Sequence, residues 1–235
     1  MSSRKPLIRE RVSSIAIDLL LTFIGVLAAL AVENYRESLH EHEMEKEYLF
    51  AFRDALQSDT TAINLALQNS FHKLNAASQF IKLIESEKNS FSDEEFSETV
   101  QSILMLIDPA YNTSVYEDLR ATGNSRIIRN IKLRNAIIAH YIFLNNLMAF
   151  QQKAIPILSY NAAFMSLLEY EEINSLQNLS YKKIISRFRK DKAAQLYLKQ
   201  LQKELVIYRN GLLYSALPKT LNLLEMIEAE LKTYE

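Results

Sequence analysis

Apolar residues follow one another almost without interruption from Ile15 to Val32, a pattern that the rest of the chain does not repeat. The segment contains one charged side chain, that of Asp18, and polar residues begin abruptly at Glu33. As an α-helix, about 18 residues span roughly 27 Å, close to the roughly 30 Å hydrocarbon core of a bilayer. The pattern therefore predicts a helix that crosses a membrane once.

Charged residues flank this segment unequally. The residues before it include Arg4, Lys5, Arg9 and Arg11 with one acid, Glu10. The residues just after it include Glu33, Glu37, Glu41, Glu43, Glu45 and Glu47 with two basic residues, Arg36 and Lys46. Basic flanks of membrane helices stay in the cytoplasm. We therefore predict a cytoplasmic N-terminus at residues 1–12, a transmembrane helix at 13–33 and a periplasmic domain at 34–235, the topology of a bacterial inner-membrane protein.

Two other interpretations of the segment stay open on the sequence alone. The tripeptide Ala29-Leu30-Ala31 would suit cleavage of a secretory signal, and a long apolar helix can also be buried in a soluble core. The apolar run is longer than the roughly 7 to 15 residues usual for the apolar part of a signal. An uncleaved signal anchor is therefore the favoured prediction.

Small and polar side chains form one line along the predicted membrane helix. Asp18, Thr22, Gly25 and Ala29 are separated by four, three and four residues, the spacing of one helix face. Gly25 and Ala29 form the small-xxx-small pattern that lets membrane helices approach closely, and Asp18 could hydrogen-bond across such an interface. We call these four residues the anchor stripe and predict that it contacts another copy or another membrane protein. The alternative is that Asp18 lies near the cytoplasmic edge and reaches the headgroups without a partner.

Beyond the anchor, apolar residues recur at helical spacing, and the chain has only 3 Gly and 4 Pro to form turns. The predicted fold class is therefore all-α. The membrane helix is expected to continue as a stalk through much of residues 34–86, as one long helix or two, because only the polar cluster at 58–61 interrupts it. The helices that follow are predicted to form an antiparallel bundle.

Capping patterns predict where the shorter helices begin and end. Ser92 with Glu95 forms a capping box for a helix that ends near Ile107, before Asp108-Pro109, and Ser114 with Glu117 forms a second one. Gly123 follows this short helix and is predicted to adopt the left-handed conformation that ends it.

Two longer helices are predicted in the remainder of the chain. One extends from Ile131 towards Ile173 with a kink at Pro156, and another begins near Ser180 and is broken or bent at Pro218.

Two sequence blocks resemble a family of uncharacterised single-pass bacterial membrane proteins, a domain of unknown function. The first is "DLLLTFIGVLAALAVENYRE", with an acid seven residues before a Gly, and the second is "YNTSVYEDLRATGNSRIIRNIKLRNAIIAHY", with a Y-E-x-L-x-x-x-G core. The resemblance covers roughly residues 15–57 and 108–145 and implies the same topology but no known activity. In the second block Tyr116, Glu117, Gly123 and Arg134 match the family pattern. We expect architectural roles for them: Glu117 caps, Tyr116 packs, Gly123 turns the chain, and Arg134 pairs with an acid.

Other motifs carry weaker functional signals. "HEHEMEKE" at 40–47 could offer a metal two ligands from one helix face, but no third ligand follows at a recognisable spacing. The basic segment 181–192 is interpreted as a solvated face or a contact for an acidic protein, because a net charge of -1 and an extracytoplasmic position disfavour nucleic acid. Glu117 and Asp118 are adjacent and point to different helix faces, which disfavours a general acid–base pair. We predict no enzyme activity, no cofactor, no metal and no nucleic-acid partner.

The functional prediction follows from the anchor and the bundle together. The leading hypothesis is a non-enzymatic inner-membrane protein that assembles with its own copies or with another membrane protein, as an accessory or scaffold subunit in the lipid bilayer. The alternative is a self-assembling membrane effector or channel-like oligomer in which Asp18 faces the interior.

Overall fold

The structure of the chain, a computed structural model, describes residues 6–86, 91–107, 110–154, 162, 164–177 and 179–234. For residues 6–18 and 151–154 the description covers the backbone alone. The side chain of Asp18, the Asp108-Pro109 pair and the predicted kink at Pro156 lie outside the described residues. The fold is all-α, as predicted, and the described residues include no β-strand.

One long helix, α1, extends from Pro6 to Glu85. The sequence left open whether this region forms one helix or two, and the polar cluster at 58–61 does not interrupt it. Thr60 and Thr61 donate their hydroxyls to the carbonyls of Leu56 and Gln57 one turn earlier, so both polar side chains are accommodated within the helix.

Seven further α-helices follow in the described part of the chain. They are α2 (Asp93–Leu104), α3 (Ser114–Ala121), α4 (Ile131–Ala154), α5 (Tyr170–Asn174), α6 (Tyr181–Lys190), α7 (Lys192–Gly211) and α8 (Leu217–Leu231). A 3₁₀ turn at Asn124–Ile127 follows α3, and a π-helical segment at Leu212–Ala216 joins α7 to α8.

The chain divides into two compact units, Met1–Tyr48 and Leu49–Glu235. In the second unit, α1 and α7 are antiparallel, because residues progressively later in α7 contact residues progressively earlier in α1. Lys199 pairs with Glu85, Gln202 donates to Ser78, and Arg209 lies over the ring of Phe71. Helices α4 and α8 are also antiparallel, with Asn130 bonded to Glu230 and Lys219 over the ring of Phe143. The unit is therefore an antiparallel helical bundle.

Aromatic rings form the centre of this bundle. The ring of Phe80 on α1 lies 5.5 Å from that of Phe96, 5.1 Å from that of Phe164 and 4.9 Å from that of Phe188. All four side chains are buried, so one cluster joins α1, α2, the 164–167 segment and α6.

Two predicted boundaries are wrong, and a third, at Pro218, has a form that the sequence did not predict. The helix from Ile131 does not reach Ile173 continuously, because the chain leaves the helical conformation at 166–169 before α5 begins. The predicted final helix is divided at Asp191, which has extended backbone angles and whose carboxylate accepts the N–H of Ala194 to begin α7. At Pro218 the chain stays helical, but a π-helical segment, Leu212–Ala216, interrupts the α-helix directly before the first turn of α8, in which the proline lies.

Candidate functional site

The apolar segment of α1 is exposed on every side. Leu19, Phe23, Ile24 and Leu27 are exposed by 72%, 61%, 52% and 49%, and no side chain of residues 19–32 is buried. A core helix of a soluble protein would bury one face or all of them. This segment belongs to a helix that is long enough and apolar enough to cross a membrane, and it lies near the N-terminus.

The anchor stripe keeps its helical register in the structure. Thr22, Gly25 and Ala29 lie within unbroken α-helix and are exposed, so their spacing places them on one face. A Cβ atom added at Gly25 would meet no heavy atom within 4 Å. The backbone of Asp18 belongs to the same helix. The partner that we predict for the stripe stays a prediction.

Two aromatic rings of the second sequence block pack against each other and join α3 to α4. Tyr116 on α3 and Tyr141 on α4 stack with centroids 4.8 Å apart and an interplanar angle of 7°. Phe52 on α1 lies 5.9 Å from the ring of Tyr141. The signature residue Tyr116 is therefore buried in a contact that joins α3 to α4, and Tyr141 extends that contact to α1.

Of the other signature residues, Gly123 has its predicted role, whereas Glu117 and Arg134 do not. Gly123 has a φ of +70°, which confirms the left-handed position after α3. The second capping box is wrong: Ser114 lies inside α3 and donates its hydroxyl to Asn112, while Glu117 is exposed and 3.8 Å from Arg120. Arg134 has no ion pair within the described part of the chain; its guanidinium donates to the carbonyl of Ile128 at 3.4 Å.

Asp59 is a buried carboxylate that the sequence reading did not single out. It is fully buried, and its Oδ1 accepts the backbone N–H of Asn112 at 2.6 Å, which attaches the segment before α3 to α1. Its Oδ2 has no hydrogen-bond partner among the described residues. Burial raises the pKa of Asp59 from 3.8 to about 6, although the Asn112 N–H opposes the change.

Two adjacent ionisable side chains of α4, His140 and Tyr141, are buried as well, and their rings lie 5.3 Å apart. Burial and the nearby Asp59 carboxylate raise the pKa of Tyr141. Burial and the charge of Lys219 lower the pKa of His140 from 6.5 to about 4, so this side chain is neutral at pH 7. Both ring nitrogens of His140 and the hydroxyl of Tyr141 lack hydrogen-bond partners in the described part of the chain. We call Asp59, His140 and Tyr141 the buried polar node.

The spacing of α1 could have located this node. Phe52, Leu56, Asp59 and Ile63 are separated by four, three and four residues, so Asp59 shares a face with three core residues. Because residues 58–61 were interpreted as a polar interruption of the helix, Asp59 was not assigned to this buried face.

The two arginines of the basic segment 181–192 are used inside the bundle, while its four lysines are exposed. Arg189 donates to the carbonyls of Leu83, Ile84 and Ser86 at the C-terminal end of α1. Arg187 donates to Leu167 at 2.6 Å and pairs with Glu172. The predicted solvated face therefore needs correction at both arginines: they are partly buried and donate to backbone carbonyls, which for Arg189 are those at the C-terminal end of α1.

A buried lysine performs the same task at another helix end. Lys73 on α1 is fully buried, and its ammonium donates to the carbonyl of Met105, the residue that ends α2, at 2.7 Å. Burial lowers the pKa of Lys73 to about 8. A positive charge at this position also favours the negative end of the α2 dipole, whose last turn has no basic residue of its own.

The described residues offer little for ligand chemistry. They contain no group of three His, Cys, Asp or Glu side chains placed to hold a metal ion, and His40 and His42 are exposed. The space beside Phe164, Phe188 and Leu198 has a volume of about 10 Å³, roughly that needed for one water molecule, and an open polar depression beside Glu98 and Gln101 has about 590 Å³.

Comparison of the chain with protein-family models, with curated proteins and with solved structures finds no match. Function is therefore inferred from the residues of this chain alone.

Proposed function

We propose that the chain is a non-enzymatic, single-pass inner-membrane protein whose helical domain mediates protein–protein assembly. The exposed apolar segment at residues 19–32 is the observation that carries the proposal. Large apolar side chains that surround a helix on all sides need a medium without water, and a bilayer supplies one. Basic residues before the segment and acidic residues after it favour a cytoplasmic N-terminus and a periplasmic bundle.

The bundle supports assembly better than catalysis. Several of its buried or partly buried ionisable side chains, among them Asp59, Arg189 and Lys73, bond to the backbone of another segment and so attach helices to one another. A catalytic site needs a nucleophile or acid that substrate can reach. The anchor stripe offers a contact surface within the membrane, where small residues permit close helix packing.

Fractionation and labelling test the membrane part of the proposal. The full chain should stay with membranes after extraction at alkaline pH. The exposed Lys132, changed to Cys in this Cys-free chain, should react with a membrane-impermeant thiol reagent in spheroplasts. Release of the chain by alkaline extraction would overturn the anchor, and labelling only after lysis would reverse the orientation. Cleavage near Ala31 would make the segment a signal.

Purification in mild detergent tests the assembly part. We expect the chain to elute with its own copies or with a stable foreign subunit, and a monomer at all concentrations would contradict the proposal. Gly25→Leu should weaken association within the membrane more than Leu20→Ala, which lies off the anchor stripe. A closed ring of identical subunits, with an ion conductance that Asp18→Asn removes, would instead favour the effector or channel-like alternative.

A further inference from the structure

Helix α1 leaves its side chains exposed between the apolar segment and the bundle. Residues 33–43 are helical, and every one of their side chains is exposed. They are polar apart from Tyr35 and Leu39, which are exposed by 67% and 48%. A helical segment of this length is marginal in water unless an apolar face packs on something. The two apolar side chains are therefore available to another molecule.

Tyr35 and Leu39 continue a line of apolar and small residues that begins in the apolar segment. Val32 lies three residues before Tyr35 and is 68% exposed, and the line continues backwards to Ala28 and Gly25. The intervals alternate between three and four residues, which places these side chains on one helix face in the heptad pattern of a two-stranded coiled coil. We call Gly25, Ala28, Val32, Tyr35 and Leu39 the stalk seam.

The acids of the same segment lie off the stalk seam. Glu33, Glu37 and Glu41 occupy outer positions of the heptad, turned away from the seam. Arg36 borders the seam, and its guanidinium is 2.9 Å from the carboxylate of Glu33 in its own chain. The seam is therefore uncharged along its whole length, although charged residues are frequent around it.

The direction of α1 determines how two copies can meet. The helix is continuous from Pro6 to Glu85, so two copies that enter one bilayer from the same side have parallel α1 helices. We propose that the stalk seam binds the stalk seam of a second copy of this chain in parallel, about a twofold axis along the membrane normal. Each seam residue then lies opposite its own equivalent, as a twofold interface requires. This dimer rests on the proposed function, because the bilayer aligns the two copies.

The distribution of charge favours a second copy over a different protein. In a parallel pair of identical helices, any charge on the seam would lie beside the same charge and repel it. A basic partner helix would be matched best by acids on the seam itself, but Glu33, Glu37 and Glu41 lie elsewhere on the helix. Self-association thus explains both the apolar face and the position of the acids.

The two parts of the seam suit the two media that they meet. Gly25 and Ala28 lie in the apolar segment, where small side chains let helices approach closely. The larger members lie at the edge of that segment and beyond it, where water favours the burial of apolar surface. The same heptad positions further along are occupied by Lys46, which is charged, and by Leu49, which is fully buried in the bundle. The seam therefore ends before the bundle begins.

Cysteine cross-linking tests the seam in the full-length protein in its membrane. The chain has no Cys, so Leu39→Cys introduces a single thiol. Mild oxidation should convert most of this variant into a disulfide-linked dimer, because the two thiols face each other. Glu37→Cys and Glu41→Cys, two residues to either side and on the opposite face, are the matched controls and should give several times less dimer. Similar yields at the three positions, or a product of Leu39→Cys that contains a different protein, would overturn the proposal.

Charges introduced at position 39 test whether this residue meets its own equivalent. Leu39→Glu and Leu39→Lys should each weaken dimerisation of the detergent-solubilised chain by roughly tenfold or more, because each replaces an apolar contact by two like charges. A mixture of the two variants should form heterodimers in preference to either homodimer. Glu41→Lys, on the opposite face, should leave dimerisation nearly unchanged. Homodimers of Leu39→Glu as stable as those of the original chain, or a mixture without preferential pairing, would overturn the proposal.

Membrane extraction and cross-linking together separate failure of the stalk-seam dimer from failure of the anchor. If the chain stays in membranes at alkaline pH but Leu39→Cys cross-links no better than Glu41→Cys, the anchor stands and the stalk-seam dimer is wrong. If alkaline extraction releases the chain while Leu39→Cys still cross-links to itself, the anchor is wrong and the seam pairs two copies without a bilayer.

Discussion

Residues 19–32 expose apolar side chains, whereas the buried polar node encloses polar ones. In the first region Leu, Ile, Phe and Val are exposed around the whole helix, whereas in the second Asp59, His140 and Tyr141 are buried. Each large apolar side chain left in water costs about 1.5 to 3 kcal/mol, so the first region needs an external medium or partner. Each unsatisfied buried polar group costs about 1 to 3 kcal/mol, which the surrounding packing has to offset. The difference shows which region depends on its surroundings and which depends on the fold.

We expect the largest effect from substitutions that remove the apolar character of residues 19–32. Ile24→Arg combined with Leu27→Arg places two cations near the middle of the apolar segment, each at a cost of about 3 kcal/mol in a bilayer. We expect most of the protein to lose its membrane association, measured as the fraction retained after alkaline extraction. The matched control is Leu65→Arg with Leu106→Arg, which adds the same charge at exposed apolar positions of the bundle. Retention of the first variant in membranes would show that this region does not need lipid.

The next largest effect lies beside the node. Tyr116→Ala removes the ring that stacks on Tyr141 and should lower the free energy of unfolding by about 3 kcal/mol, because a buried aromatic leaves a cavity. Urea unfolding followed by circular dichroism measures the change. Tyr170→Ala, at a position that is 80% exposed, should change it by less than about 0.5 kcal/mol. Similar values for the two variants would mean that the stacking contact does not hold α3 in place.

Features encoded by neighbouring residues were predictable from the sequence. The capping box at Ser92 has both of its reciprocal hydrogen bonds, and Gly123 has positive φ. The apolar segment was also readable, since an uninterrupted run needs no knowledge of the fold. Ser114 shows the limit of local reading: its pattern matches a capping box, but Asn112 accepts its hydroxyl and the helix begins at Ser114 itself.

Features encoded by residues distant in sequence were not predictable in the same way. Arg189 is 103 residues or more from the carbonyls that it binds, and Asp59 is 53 residues from Asn112. In the linear sequence both resemble solvated charges. Their burial becomes evident only when the antiparallel packing brings those helices together.

A smaller effect should appear in the pH dependence of the node. Because the pKa of Asp59 is raised to about 6 in the folded chain, its ionisation costs no stability below about pH 4, and stability falls as pH rises towards 6. Asp59→Asn keeps an oxygen to accept the Asn112 N–H and cannot ionise. We therefore expect Asp59→Asn to raise the free energy of unfolding at pH 7.5 by about 2 kcal/mol and to have little effect at pH 4.

His140 acts in the opposite direction and supplies the check. Its pKa is lowered to about 4, so its contribution to stability is complete above pH 6.5 and is lost as pH falls towards 4. In Asp59→Asn the His140 effect is no longer offset, and stability should decline on acidification more steeply than in the original chain. Parallel pH profiles for the two proteins would show that Asp59 does not titrate in this range.

The smallest expected effect is a difference in the free energy of unfolding between Gly→Ala substitutions at two glycines of the bundle. Gly123→Ala should lower the free energy of unfolding by about 1 kcal/mol, because a φ of +70° strains any residue with a Cβ atom even though no heavy atom lies within 4 Å of the added group. Gly211 has a φ of -59°, and an added Cβ would make an ordinary contact with Leu147 at 3.8 Å. Gly211→Ala should therefore raise the free energy of unfolding by about 0.5 to 1 kcal/mol through the lost freedom of the unfolded chain. Opposite signs in matched urea titrations would attribute the difference to backbone conformation, since neither site is crowded. If Gly123→Ala proves neutral, the turn after α3 tolerates other angles, and the contact between Tyr116 and Tyr141 alone positions that helix.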